Sequence, residues 1–208
     1  MHANATIALI AMRTHLLILM MALLSGCGVS AIVKENEVIK VKDVSVTSPL
    51  RFSQFGASRE RYWTLDGLML NDFRIFTDIK PGENLFLNTK TYAERRGEGS
   101  LYQKGMDALE VQELFVDALK NAGLAEVSSS DLKPAPFGQR SGFRFNLQFQ
   151  TPGTSGGLIY HAMVLAEVES DTLSYLYFDA PAEYFFSRDK AAIEKLFASV
   201  AAPSARPN

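Results

Sequence analysis

The segment Gly153-Thr154-Ser155-Gly156-Gly157 formally matches G-x-S-x-G, a pattern that can present a serine nucleophile, and His161 follows close behind. In a nucleophile elbow the serine sits on a sharp turn between a strand and a helix. Its hydroxyl then stands clear of the backbone, where a histidine can take its proton. Here the residues that follow, Leu158 to Val168, read as a strand. Strands on both sides make the glycine-rich segment a hairpin loop. His161 alternates with Ile159 and Met163 on one strand face, the placement of a structural histidine. A serine hydrolase around Ser155 and His161 is therefore the least favoured reading.

Paired carboxylates are the next source of acid–base chemistry. Glu167 and Glu169 share a strand face near a turn, and Asp179 and Glu183 flank the Ala180-Pro181 corner. Acidic side chains at such ends are expected in solvent. His161 is the one histidine beyond residue 26, and Cys27 is the chain's one cysteine. No His/Cys metal cluster can be assembled from that inventory, and no EF-hand spacing is present. Gly97, Gly99 and Gly105 fit neither a P-loop nor a dinucleotide fingerprint. The reading is therefore of no catalytic constellation, no metal and no cofactor. A formal net charge of -2 offers no basic field for nucleic acid.

The elements that would position such residues are clearest in the C-terminal half. Phe143, Phe145, Leu147 and Phe149 alternate with polar residues, which predicts a strand with one buried face. A second strand, 158–168, and a third, 173–178, follow after short turns, so the three form an antiparallel meander. Val111, Leu114, Phe115, Ala118, Leu119 and Ala122 form one stripe of a helix over about 107–122. Asp107 and Glu110 are placed as a capping box, and Gly123 as the stop. Ile193, Leu196, Phe197 and Val200 predict a second helix over about 188–200, with Ser187 as its cap. Upstream, 38–46, 70–76 and 85–87 are candidate strands, with a turn at Pro81-Gly82. The fold class is α+β: an antiparallel sheet packed with two main helices, on one or both faces. The late aromatics Tyr175, Tyr177, Phe178, Tyr184, Phe185 and Phe186 read as core before pocket, and Trp63 reads as a sheet-packing residue.

The N-terminus carries the strongest local signal. Arg13 precedes an unbroken apolar run, Leu16 to Leu24, too short to span a bilayer but of signal-peptide length. It ends in Leu24-Ser25-Gly26-Cys27, which resembles the lipobox of bacterial lipoproteins. The resemblance implies lipid attachment at Cys27, cleavage before it and acylation of the new amino group, palmitate being the usual acyl chain. With Gly28 rather than aspartate next, it implies the outer membrane, facing the periplasm. The expected organisation is a signal peptide over 1–26, with Met12 as an alternative start, and a lipidated N-terminus and tether over 27–36. A single α+β domain over 37–200 and a flexible tail over 201–208 complete it. Such a tether would reach at most about 30 Å. The order of the final meander and closing helix also faintly resembles the PsbP-like α/β/α fold, a likeness that transfers no activity.

Three functions compete on this reading. The leading one is a membrane-anchored, non-enzymatic module that binds an envelope protein or supports an envelope assembly. The second is a small-ligand or lipid-binding lipoprotein, which needs an apolar pocket of several hundred cubic ångströms. The third is the hydrolase above. The long polar stretch 88–106 has no clear period, and loops beyond about 12–15 residues are usually functional or disordered. Tyr92, Arg95, Arg96 and Tyr102 within it are the expected partner contacts, because tyrosine and arginine are enriched at binding hot spots.

Overall fold

The protein is described by a computed structural model, which covers residues 31–56, 59–86, 100–153 and 157–203. Its central layer is built from strands that alternate between two apolar faces. They are β1 (Ala31–Val33), β4 (Phe52–Phe55), β5 (Glu60–Thr64), β6 (Asp72–Ile79), β7 (Ala125–Phe137), β8 (Arg140–Gln150), β9 (Ile159–Glu169) and β10 (Thr172–Pro181). These form one sheet in the order β1-β4-β5-β6-β10-β9-β8-β7, every pairing antiparallel. A separate hairpin joins β2 (Val38–Val41) to β3 (Val44–Thr47). Lys42, at φ 58°, turns the chain between them. The apolar run 38–46 is thus two short strands and not one.

Strand period decides which face each side chain joins. Tyr175 and Tyr177 pack with Phe76, Phe145 and Phe149 beneath α1 (Ala108–Asn121), whose Val111, Leu114, Phe115 and Leu119 fill that layer. Leu176 and Phe178 point the other way and pack with Trp63, Phe73 and Ile75. They meet Ile193, Leu196 and Phe197 of α2 (Ser187–Ala198) and Val41, Val44 and Val46 of the hairpin. The result is an α/β/α sandwich with one helix on each face. Phe115 is the hub of the first core, in edge-on contact with Phe86, Phe145 and Tyr175. Trp63 is fully buried and donates its indole N–H to Gln54 Oε1 at 2.9 Å.

The helix signals behave unequally. At α1 the expected capping box forms in both directions: Asp107 accepts from Leu109 and Glu110, and Glu110 accepts from the Asp107 N–H. Gly123 ends the helix at φ 84°, a conformation that side chains disfavour. Ser187 does not cap α2. A π-helical turn, Ala182–Phe186, runs directly into the helix, and the Ser187 hydroxyl donates back to the Ala182 carbonyl. A π turn fits a wide helical turn into a tight corner, here the one that carries the chain from β10 onto the sheet face.

Three other expectations are corrected. The segment 85–87 is no strand as far as it is described: Leu85 is buried, and its carbonyl accepts the Tyr175 hydroxyl at 2.8 Å. The tether does not run to residue 36, because Ala31, Ile32 and Val33 pair with Gln54, Ser53 and Phe52 as the edge strand. The tail is fixed where it was expected to be loose. Ser45 and Ala201 exchange both backbone hydrogen bonds, Gln139 N–H donates to Ala202 O, and Ala202 is 2% exposed. Residues 204–208 lie outside the described part.

Candidate functional site

One end of the sheet gathers an unusual set of charges. The register places Thr64, Asp72, Asp179 and Ala162 side by side across β5, β6, β10 and β9. One pleat further in, on the same face, Arg74 lies beside Tyr62 and Tyr177. This is the face that α1 covers, but α1 ends before it reaches this edge. Between its last turn and the sheet lies a cavity of about 290 Å³. Its floor is Asp72, Arg74 and Asp179, and its walls include Tyr62, Phe86, Phe149, Tyr160 and Tyr177.

Charges in so apolar a place require partners. Arg74 Nη2 donates to Asp72 Oδ2 at 2.9 Å and lies 3.8 Å from Asp179 Oδ1, an ionic contact too long for a hydrogen bond. The guanidinium also lies over the rings of Tyr62, Tyr177 and Phe86, at 5.2, 5.5 and 5.8 Å, within range for cation–π attraction. Burial works against the Arg74 charge, but Asp179, Tyr177 and Asp72 outweigh it and hold the group firmly protonated. Asp179 is worse served. Burial lifts its carboxyl to about 7, against the pull of Arg74, and the nearby Asp72 charge adds to the lift. Tyr177 shares a hydrogen bond with it. Its Oδ1 has no hydrogen-bond partner among the described residues.

A loop that the sequence left unassigned borders the cavity. Asn71 Oδ1 accepts from the Thr64 hydroxyl and from the Leu65 and Asp66 N–H groups. Its amide donates to Asp66 and to Asp189 at the start of α2, while Arg188 bonds both carboxylates. This network ties the loop to the far side of the sheet. Met69 sits at its tip with φ 72° and 70% of its surface exposed, and its carbonyl accepts the Tyr160 hydroxyl at 2.5 Å. A side chain in that left-handed conformation costs energy, and the Tyr160 bond helps to hold it there.

A likeness to a solved structure accompanies this geometry. Cyanobacterial PsbP (CyanoP) from Synechocystis sp. PCC 6803 matches with a TM-score of 0.52 at 11% identity, over 86% of this chain and 96% of that one. The fold is PsbP-like. Weaker likenesses are to a protein from Bacteroides thetaiotaomicron VPI-5482 and to LpqN, involved in cell envelope biogenesis of Mycobacterium tuberculosis. The first has a TM-score of 0.42 at 10% identity, over 83% of this chain and 50% of that one. The second has 0.38 at 12%, over 86% and 87%. No protein-family model and no curated protein sequence matches the chain. A likeness at this identity concerns the PsbP-like fold and carries no activity across.

The residues singled out from the sequence fall in different places. Cys27, Tyr92, Arg95, Arg96 and Ser155 lie outside the described residues. Tyr102 is corrected: it is fully buried in the core beneath α1 and offers no surface to a partner. The Asn84–Leu101 bridge and the bonds between Tyr102 and residues 82–83 hold it there. His161 stands edge-on to Phe186 at 5.3 Å. The element that follows is β9, a strand, where a nucleophile elbow requires a helix. Glu167 and Asp179, expected in solvent, are 1% and 7% exposed. Glu167 accepts from Arg140 at 2.7 Å, and burial lifts it to about 7. Of the cavity floor, the sequence pointed only to Asp179, and in a different pair. Each of Asp72, Arg74 and Asp179 interrupts an otherwise apolar, aromatic strand, but only the register across strands brings them together.

Proposed function

We propose that this chain is a lipid-anchored, non-enzymatic binding module that holds a small ligand in the cavity at the end of its sheet. The cavity carries the reading: aromatic walls close around a few convergent polar groups, the usual form of a small-molecule site. The lipobox supports the anchor. Among the described residues no helix is long and apolar enough to cross a membrane; in this reading attachment is through Cys27. Because β1 begins at Ala31, the lipidated residue and the sheet edge are separated by at most about 14 Å of chain. The domain would then work close against the membrane, in this reading the outer membrane on its periplasmic side.

Cys27→Ser tests the anchor. A lipoprotein carries three acyl chains, whereas one alone binds only marginally. The variant should lose metabolic labelling by palmitate and fail to be processed by the lipoprotein peptidase. A wild-type chain that stays unlabelled refutes the anchor.

A protein partner is the second reading, supported by the segment 87–99. It begins directly after Phe86, a wall of the cavity, and carries Tyr92, Arg95 and Arg96. Replacing these three by alanine should weaken capture of an envelope partner while leaving the thermal midpoint nearly unchanged. Unchanged capture places the contact elsewhere.

A further inference from the structure

We infer that the cavity selects a small organic amine, binding its ammonium head at Asp179 and its apolar body along Phe149, Tyr160 and Met69. This rests on the ligand-binding reading above and adds the ligand's charge and size. The floor holds two carboxylates against one guanidinium, and the two are unequally served. Asp72 has a charge-assisted hydrogen bond from Arg74 at 2.9 Å; Asp179 Oδ1 has only the 3.8 Å contact and no hydrogen bond. Tyr177 hydrogen-bonds Asp179, and Arg74 Nε is also without a partner among the described residues, but with both carboxylates ionised the floor is one positive charge short.

The other ligand charges fit less well. An anion would have to approach Arg74 past both Asp72 and Asp179, in surroundings where repulsion is poorly screened. The faces of Tyr62, Phe86 and Tyr177 around the guanidinium are already occupied by it. A neutral head brings no charge to match the ionised form of Asp179. An ammonium supplies three donors and the missing charge at once. The walls then set the body. The rings of Phe149 and Tyr160 are stacked at 5.4 Å with 12° between their planes, giving a flat apolar surface, and Met69 lines the cavity beside them. At about 290 Å³ the cavity lies at the small end of ligand sites. It has room for one aromatic ring on a short stem.

The proposal has a titration signature. Asp179 is faced by Asp72 and Arg74 from β6, by Tyr177 on its own strand and by Tyr160 from β9, and Tyr62 of β5 lines the same cavity. With its carboxyl near 7, only the ionised form can hold an ammonium. Binding should therefore tighten as pH rises through 7, and below that it should release a proton.

The test is calorimetric titration of the full chain in detergent and amine-free phosphate buffer. The probes are 2-phenylethylamine, 2-phenylethanol and phenylacetate, alike in shape and different in charge. The amine should saturate, about tenfold more tightly at pH 8 than at pH 6, as expected when only the ionised fraction binds; the alcohol and the acid should not. Asp179→Asn should abolish saturation by the amine in a protein whose thermal melt shows it folded. Should that variant fail to fold, the wild-type pH dependence carries the test. Saturation by phenylacetate, or equal binding of amine and alcohol, overturns the amine assignment and leaves the binding module standing. Saturation by none of the three overturns both.

Discussion

Replacing Arg74 by methionine should cost the domain about 3–5 kcal/mol at pH 8 and clearly less at pH 5, measured by urea denaturation. Methionine keeps the unbranched, flexible stem but removes the guanidinium that lies over Tyr62, Phe86 and Tyr177. What disappears is the charge between Asp72 and Asp179, and removing one partner of a buried ionic group costs about that much, because the others stay buried and uncompensated. The pH dependence follows from Asp179. Its carboxyl is lifted from 3.8 to about 7 by burial even with Arg74 present. A group whose folded value is raised contributes stability that is fully present below its unfolded value and lost as pH rises through the folded one. In the wild type that loss falls between about pH 4 and pH 7. Without Arg74 the carboxyl should rise further, which widens the window and steepens the loss above neutrality. Asp179→Asn beneath Arg74→Met should recover part of it, the coupling expected of neighbours in one network. Equal destabilisation at pH 5 and pH 8 would mean that Arg74 acts through packing, and the charge argument would fail.

The parts of this fold legible in the sequence are those where one periodicity dominates. The meander of β8, β9 and β10 was read within a few residues of its bounds, because one face of β8 is aromatic and the other polar. The α1 stripe and its capping box were legible for the same reason. Strand β7 left no such trace. Ala125–Phe137 contains Ser128, Ser129, Ser130, Pro134 and Pro136, and most of it is exposed. It is an edge strand paired only with β8, so it needs no apolar face. Proline is tolerated there, and with the left-handed Glu126 and Asp131 it discourages pairing with another chain. β4 and β5 were obscured differently: they are short, and both of their faces are partly covered.

The candidate site was hidden for a related reason. Asp72, Arg74 and Asp179 stand far apart in sequence, and each alone resembles an ordinary polar residue near a strand end. Only the register that sets Asp179 opposite Asp72 makes them a cluster. Sequence spacing finds sites built within one element, such as the capping box at Asp107. It cannot find one assembled across β5, β6, β9 and β10.

Ending the chain at Val200 should destabilise the domain by about 3 kcal/mol and loosen the β2–β3 hairpin in particular. Residues 201–203 lie between that hairpin and the β7–β8 turn. The two backbone bonds between Ser45 and Ala201, the Gln139–Ala202 bond and the 2.8 Å bond from Arg140 Nε to the Pro203 carbonyl would all go. Each contributes about 0.5–1.5 kcal/mol. Arg140 is the other half of the argument, because the same guanidinium donates to buried Glu167 and to Asp43 in the hairpin turn. Without the Pro203 contact it is freer to leave Glu167, a carboxylate that burial already disfavours. Gly138 offers an independent route to the same state. It takes φ 63°, and a Cβ there would collide with the backbone of Ala202. Gly138→Ala should therefore displace the segment with every bonding group still present. Hydrogen exchange reads the outcome locally: in both variants the β2 and β3 amides should exchange faster than those of β9 and β10. A chain ending at Pro203 is the control that isolates residues 201–203. If the chain ending at Val200 melts and exchanges like that control, the hairpin is held by Val41, Val44 and Val46 against α2 and the sheet, and the tail contributes nothing.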